Sequence, residues 1–198
     1  ALKYLYFDVE TTGLSRTSDI LEFGGILCDS NFNIVKPINE YFLYDGIVPY
    51  SAVNVHGLSS QKLEFLGTRD FISAAPDIAK LLTDPDICLC GHNIVSYDLP
   101  VLASNLKNAG IQLNIDKLRT IDTLTIAKQK FSGSHKLEDT LTVCLHRSGC
   151  TRADVDAGFA KLIQTNPTLV VDEDKTFHSA LYDSYVCWCA HLVLQSWD

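Results

Sequence analysis

The chain has 198 residues, of which 46% are hydrophobic and 20% are charged, a composition typical of one globular domain with a sizeable core. No apolar stretch is long enough to span a membrane and the amino terminus shows no secretory signal pattern, so we expect no membrane partner. The net charge of −8 argues against a long contact with duplex nucleic acid, because such affinity rises with the number of phosphates neutralised.

Taken in chain order, apolar runs separated by turn signals predict alternating strands and helices. We predict strands at 3–9, 20–29, 33–44 and 87–91, the first three as a meander. We predict helices near 70–82, from Pro100 to Asn108, and at 121–130, 136–147 and 154–164. This order indicates an α/β fold and a single domain over residues 1–198, with the polar stretch 150–175 as a candidate insertion.

The seven cysteines lie mostly in apolar segments, where free thiols behave as small hydrophobes. The pairs Cys88–Cys90 and Cys187–Cys189 do not have the spacing of a zinc site. We therefore expect reduced cysteines and a reducing intracellular compartment, either the cytoplasm or the nucleus.

Two acidic residues close the first predicted strand, ahead of a Thr-Thr-Gly turn. Residues two apart on a strand point to the same face, about 6.5 Å apart, so Asp8 and Glu10 present their carboxylates side by side. Two like charges this close are unfavourable unless a cation lies between them. The alternative, in which both side chains project into water, loses weight if the chain supplies further ligands.

Two later segments supply such ligands. Asp98 follows the strand predicted at 87–91, and Asp183 lies in the C-terminal amphipathic segment. Carboxylates without a cysteine or histidine ligand suit Mg²⁺ or Mn²⁺ better than Zn²⁺, and four of them can hold two ions about 3.5–4 Å apart. Two such ions suit an in-line displacement at phosphorus, in which a water molecule is the attacking group. His178 is the natural candidate for the base that takes a proton from this water.

His178 and Asp183 cannot converge on one water molecule from a regular helix, because a five-residue offset places them about 140° apart. We therefore expect His178 just before the helix or on its first turn, with Thr176 as a nearby N-cap. Asp183 would then face the site from within the helix.

In this order, Asp8, Glu10, Asp98, His178 and Asp183 resemble the three exonuclease motifs of the DnaQ-like (DEDDh) 3′–5′ exonucleases. The resemblance spans nearly the whole chain, because the motifs fall near its start, middle and end. It implies an RNase H-like fold, with a central mixed five-stranded sheet flanked by helices, and two divalent cations. It also implies that the four carboxylates hold the metals and that His178 is the general base.

A second group of residues is expected to contact the nucleotide. It comprises Thr11, Thr12, Leu14, Val55, His56 and Tyr97. Thr11, Thr12 and Leu14 follow Asp8 and Glu10 on the turn. Val55 and His56 lie in a predicted loop that resembles a family segment packed on the terminal base and sugar. Tyr97 is placed to stack on a base, an interaction worth about 1–3 kcal/mol. Each also has an ordinary alternative as a core, turn or interface residue.

These residues together predict a metal-dependent 3′–5′ exonuclease that releases nucleoside monophosphates from a single-stranded or frayed 3′ end. The spacing from His92 to Asp98 resembles that of autonomous DNA exonucleases more than that of proofreading subunits, which favours DNA over RNA. An RNA-directed exonuclease is the nearer alternative, since no residue decides recognition of the 2′-hydroxyl. The farther alternative is a non-catalytic member that binds nucleic acid or docks on a polymerase. Docking on a polymerase or on another replication or repair protein alongside catalysis, as in a proofreading subunit, also stays open.

Overall fold

The computed structural model describes residues 1–175 and 179–198. Over these residues the chain forms one mixed sheet with helices packed on both of its faces. The strands are β1 (Lys3–Thr11), β2 (Ile20–Cys28), β3 (Ile34–Leu43), β4 (Arg69–Asp70), β5 (Ile87–Gly91) and β6 (Thr120–Asp122). The helices are α1 (Tyr50–His56), α2 (Ser60–Leu66), α3 (Phe71–Leu82), α4 (Leu99–Asn108), α5 (Thr123–Lys130), α6 (Leu137–Ser148), α7 (Arg152–Gln164) and α8 (Ala180–Leu194).

The sheet has the strand order β4-β3-β2-β1-β5-β6. Strands β1 to β3 form the predicted antiparallel meander, and β5 and β6 extend the sheet in parallel with β1. The α/β class is confirmed, but the described sheet has six strands rather than five. The edge strands β4 and β6 have only two and three residues, too few to show a hydrophobic period in the sequence. Strand β6 occupies the start of the helix predicted at 121–130.

The segment between β3 and β4 contains two helices where the sequence predicts a loop. Each has seven residues, about two turns, which is too short for a hydrophobic period to stand out. Gly57 ends α1 in the left-handed region with a φ of 75°, and the Ser59 hydroxyl caps α2 by accepting from the Lys62 amide. Val55 and His56 therefore lie in the last turn of a helix.

Alternation along β1 divides the core into two layers. Leu5 and Phe7 pack on one face of the sheet, against α3 and α4. Tyr6 lies on the other face, in a cluster with residues of α6, α7 and α8. Because successive side chains of a strand point to opposite faces, Asp8 and Glu10 share the α8 face with Tyr6.

Helix α8 approaches β2 closely at Gly24. A Cβ atom at this position would lie 2.4 Å from the backbone nitrogen of Leu181, so only glycine permits the contact. The Ser184 hydroxyl, 3.1 Å from the Gly24 carbonyl oxygen, adds a hydrogen bond between the two elements. This contact fixes the first turn of α8 against the sheet.

The N-cap of α8 is Ser179, whose hydroxyl accepts from the amide of Tyr182 at 3.2 Å. The prediction of Thr176 as the cap is wrong, because serine and threonine are both good caps and their position alone does not separate them. Thr176 and His178 lie outside the described residues.

All seven cysteines are free and five of them are buried, as expected for reduced thiols. Helix α7, within the candidate insertion, contributes Val155 and Phe159 to the core cluster around α8. In the part of the chain that the structure describes, no helix is both long and apolar enough to cross a membrane.

We expect Gly24→Ala to lower the free energy of unfolding by about 3 kcal/mol, the upper end of the usual cost of overpacking. The reason is that the added methyl group meets backbone atoms of α8, which cannot rotate away as a side chain can. Urea unfolding followed by circular dichroism measures the change.

Gly25→Ala is the matched control for this prediction. Its added methyl group has as nearest neighbour the end of the Leu5 side chain, at 3.0 Å, which can adjust. A loss of stability as large as that of Gly24→Ala would show that the helix contact is not the cause.

Candidate active site

Three carboxylates meet where β1 ends. Asp8 and Glu10 come from β1, and Asp183 comes from the first turn of α8. One carboxylate oxygen from each of the three residues lies within 4.8 Å of the others, and all three side chains are half-buried. The predicted convergence of the first and last motifs is therefore present in the structure.

Asp98 lies beside this group without being part of it. It ends the π-helical turn Ile94–Asp98, directly after β5 and before α4, and is 4% exposed. Its Oδ2 accepts from the Val9 amide at 3.2 Å, which places it against β1. Its charge also contributes to the raised pKa of Asp8, as expected for neighbouring carboxylates.

The π-helical turn that carries Asp98 is held by Asp122, a residue that the sequence pattern did not reveal. The Asp122 carboxylate accepts from the amides of Asn93 at 2.8 Å, Val95 at 3.1 Å and Leu124 at 3.0 Å. Asn93 enters the turn in the left-handed region, with a φ of 64°. One side chain thus fixes both the turn before Asp98 and the start of α5.

Burial and mutual repulsion disfavour ionisation of the cluster. Burial, followed by the charges of neighbouring carboxylates, raises the pKa of Asp8 and of Glu10 well above the usual range. Burial also raises the pKa of Asp98 and of Asp183 to about 7. The charge of Lys175 acts in the opposite direction on the pKa of Glu10. Without a cation the cluster therefore retains protons near neutral pH.

The donor set fits hard divalent cations. It consists of closely spaced carboxylate oxygens, which are the ligands that Mg²⁺ and Mn²⁺ prefer. A divalent cation would also offset the repulsion within the cluster and displace its protons. Among the described residues, no other group of three or more histidine, cysteine or acidic side chains has this spacing.

Glu22 is a further acidic residue beside the cluster. It lies directly opposite Glu10 in the register of β1 and β2 and is 1% exposed. Its Oε1 accepts from the Ala180 amide at 3.3 Å, so it links β2 to the start of α8. Burial raises the pKa of Glu22 to about 7. The signal in the sequence is a lone acid within the apolar run 20–28.

An apolar cavity of about 460 Å³ opens beside Glu10. Five of the six predicted nucleotide contacts line it, namely Thr11, Leu14, Val55, His56 and Tyr97. Leu14 and Val55 are 97% and 70% exposed, so their apolar surfaces are free to pack against a ligand. The cavity therefore offers an apolar surface directly next to the carboxylates.

Thr12 does not line the cavity, and its hydroxyl accepts from the Asp19 amide at 3.0 Å. His56 is also used within the protein. Its Nε2 donates to the Thr11 carbonyl at 2.8 Å, and its Nδ1 accepts from the Leu58 amide at 3.0 Å. Burial lowers the pKa of His56, which keeps the ring neutral. Both residues therefore brace the turn after β1.

The Tyr97 hydroxyl braces the same turn. It lies 2.7 Å from the Thr11 hydroxyl and donates to the Gly13 carbonyl at 2.7 Å. The hydroxyl is thus fixed, while the ring lines the cavity. This geometry is compatible with stacking of the ring on a base, which stays a prediction.

His178 lies outside the described residues, so its role as the base also stays a prediction. In the sequence it directly precedes Ser179, the N-cap of α8, and α8 carries Asp183 in its first turn.

Comparison with known proteins places this geometry in a family. The chain matches the RNase_T family model, described as Exonuclease, over residues 5–188. No curated protein sequence matches the chain significantly.

Among solved structures, E. coli exonuclease I has a similar fold. Its complex with a dA16 oligonucleotide has a TM-score of 0.72 and 19% identity, covering 100% of this chain and 42% of that one. Its zinc-bound complex with single-stranded DNA has a TM-score of 0.72 and 20% identity, covering 99% and 41%. Its complex with a dT13 oligonucleotide has a TM-score of 0.69 and 21% identity, covering 98% and 41%.

The chain spans less than half the length of these exonuclease I chains. At such low identity the likeness shows the fold, and the expected RNase H-like fold is confirmed, with six strands in place of five. The family match runs from before Asp8 to beyond Asp183 and so includes all four carboxylates. The chain belongs to the exonuclease family, as a DnaQ-like protein with an RNase H-like fold.

Proposed function

We propose that this chain is a metal-dependent 3′–5′ exonuclease of the DEDDh type, which releases nucleoside monophosphates from the 3′ end of single-stranded or frayed DNA. The observation that carries the proposal is the group formed by Asp8, Glu10 and Asp183 next to an open apolar cavity. The membership of the chain in the exonuclease family supports it.

The carboxylates would hold the divalent cations. The grouping of Asp8, Glu10 and Asp183 supports these three as ligands, and Asp98, packed against β1, completes the proposed set of four. When bound, Mg²⁺ or Mn²⁺ would stabilise the negative charge that develops on the phosphate and leaving oxygens.

The chain's own residues position the 3′ end and move one proton. Leu14 and Val55 contact the terminal nucleoside in the cavity, and the braced turn keeps Leu14 in place. His178 accepts a proton from the water that attacks phosphorus, the bond from phosphorus to the 3′-oxygen breaks, and that oxygen takes a proton from solvent. The products are a nucleoside 5′-monophosphate and a strand that is one nucleotide shorter.

The preference for DNA rests on two supports. The spacing from His92 to Asp98 resembles that of autonomous DNA exonucleases. The exonuclease I structures of similar fold include complexes with single-stranded DNA. RNA differs at the 2′-hydroxyl, so digestion of both polymers decides between them.

A 5′-labelled DNA oligomer and its RNA counterpart should reveal the activity in a time course with Mg²⁺, Mn²⁺ or EDTA. We expect a ladder that shortens from the 3′ end only with metal, and faster with DNA. Asp8→Asn and Asp183→Asn should each lower the rate more than about 100-fold. Asparagine keeps the shape of the aspartate side chain but removes the negative charge of a proposed metal ligand. A ladder of unchanged rate from either variant would contradict the assignment of the ligands.

We expect His178→Ala to slow the chemical step by about 10²–10⁴-fold, the usual contribution of a general base. Metal binding should stay close to that of the unmodified chain, because His178 is not among the proposed ligands. Single-turnover kinetics and a Mn²⁺ titration followed by electron paramagnetic resonance separate the two effects. Full activity of the variant would remove His178 as the base.

The stability of the metal-free protein should fall as pH rises from about 4 to about 7. Burial raises the pKa of Asp98 and of Asp183 from 3.8 to about 7, so over this interval the unfolded chain releases protons that the folded chain retains. Above about pH 7 the groups are ionised in both states and their effect becomes constant. Thermal unfolding in EDTA across this range measures the trend.

Asp183→Asn is the control for the pH dependence. It removes one of the buried carboxylates with a raised pKa, which also include Glu22, and should make the decline shallower. Mg²⁺ should raise the melting temperature more at about pH 8 than at about pH 5. A decline of equal slope in the variant would contradict the assignment.

A further inference from the structure

A second groove adjoins the apolar cavity. It has a volume of about 560 Å³ and is lined by Leu14, Ser15, Arg16, Asn93, Ser96 and Tyr97. The groove shares Leu14 and Tyr97 with the cavity, so the groove and the cavity are adjacent at these side chains. Its lining includes no carboxylate, in contrast to the cavity, which includes Glu10.

Arg16 is the cation of this groove, and one hydrogen bond holds its exposed side chain to the opposite turn. Its Nε donates to the Ser96 carbonyl at 2.6 Å, across the groove from the turn that follows β1. A guanidinium has five N–H donors, so four on the two terminal nitrogens are left for another partner. Within the described residues Arg16 forms no ion pair, although the chain carries eight more acidic than basic side chains, 24 against 16.

Two further side chains of the groove are polar and unused. The Asn93 amide group and the Ser96 hydroxyl make no hydrogen bond to any other described residue, although the backbones of both residues do. The groove thus combines a guanidinium hydrogen-bonded at its Nε with a free amide group and a free hydroxyl, a set that suits the oxygens of phosphate and sugar.

We propose that this groove, the Arg16 groove, binds the sugar–phosphate backbone of a single strand upstream of its terminal nucleotide, with Arg16 contacting a phosphate. The inference rests on the proposed exonuclease function, because the cavity must hold the terminal nucleoside for the strand to continue into the groove. A polyanion that ends at a carboxylate cluster needs a positive contact along its path, and Arg16 is placed to supply it. A single strand of three or more nucleotides is therefore the preferred substrate, because a dinucleotide has no phosphate upstream of the scissile one to reach the Arg16 groove.

The test compares a decanucleotide with a dinucleotide, whose one phosphate is the scissile one. We expect Arg16→Ala to raise the KM for the decanucleotide about tenfold and to leave its kcat unchanged. The increase corresponds to the loss of one charged hydrogen-bonded contact. The KM for the dinucleotide should not change. The slope of log KM against log salt for the decanucleotide should fall by about 0.7, the share of one phosphate contact on a single strand.

Two variants act as controls. Arg16→Lys keeps the charge and should keep the salt slope, even if it loses the hydrogen bond to the Ser96 carbonyl. Arg119→Ala removes another exposed arginine, which precedes β6 at the opposite end of the parallel strands from the carboxylates, and should have no effect.

The inference is overturned if Arg16→Ala has no effect on the decanucleotide, affects the dinucleotide equally, or behaves like Arg119→Ala. If the unmodified chain degrades neither substrate, it is the proposed function that fails.

The groove is then tested by fluorescence anisotropy of a labelled decanucleotide in the presence of Ca²⁺. Weaker binding by Arg16→Ala than by Arg119→Ala would support the groove, and equal binding would refute it.

Discussion

The contact between α8 and Gly24 of β2 determines whether this protein has a site at all. Asp8 and Glu10 are fixed by β1, but Asp183 reaches them only because the first turn of α8 lies against the sheet. The Ser184 hydroxyl and the buried Glu22 carboxylate add hydrogen bonds at the same place. A position without a side chain on β2 is thus the condition for three carboxylates to meet.

That arrangement is unfavourable by itself, because it places like charges together in a partly buried environment. The raised pKa values of the four carboxylates express this cost, and a bound cation would remove it. Folding and the proposed metal binding would therefore be coupled, since the packing that assembles the carboxylates also creates the repulsion that a metal would relieve. A protein that needed only stability would have no reason to keep such a cluster at the end of a core strand.

The sequence allows the prediction of features that rest on short-range rules. The three-strand meander follows from apolar runs, and the pairing of Asp8 with Glu10 follows from the two-residue period of a strand. Asp183 could be assigned to the same site because its spacing from His178 and the order of the acidic motifs both resemble the exonuclease family. In each case the signal is local or is supported by the order of the motifs.

Features that depend on contacts between distant segments could not be predicted in this way. Strand β6 exists because Thr120–Asp122 pairs with β5, and three residues have no period of their own. The role of Asp122 in holding the turn before Asp98 depends on amides almost thirty residues earlier in the chain. Arg16 likewise shows its orientation only through the Ser96 carbonyl. A carboxylate or guanidinium that binds backbone groups of a distant segment leaves no spacing pattern in the sequence.

The long stretch between Asp98 and Lys175 has a consequence for how this fold can vary. It supplies none of the four carboxylates, because these lie on β1, at the end of the π-helical turn and on α8. The distances between the carboxylates depend on the sheet and on the position of α8, so this stretch can lengthen or shorten at its surface turns without moving a carboxylate. Provided that Asp122 and the helix faces packed on α8 are kept, it is the region where the architecture can diversify while its chemistry stays constant.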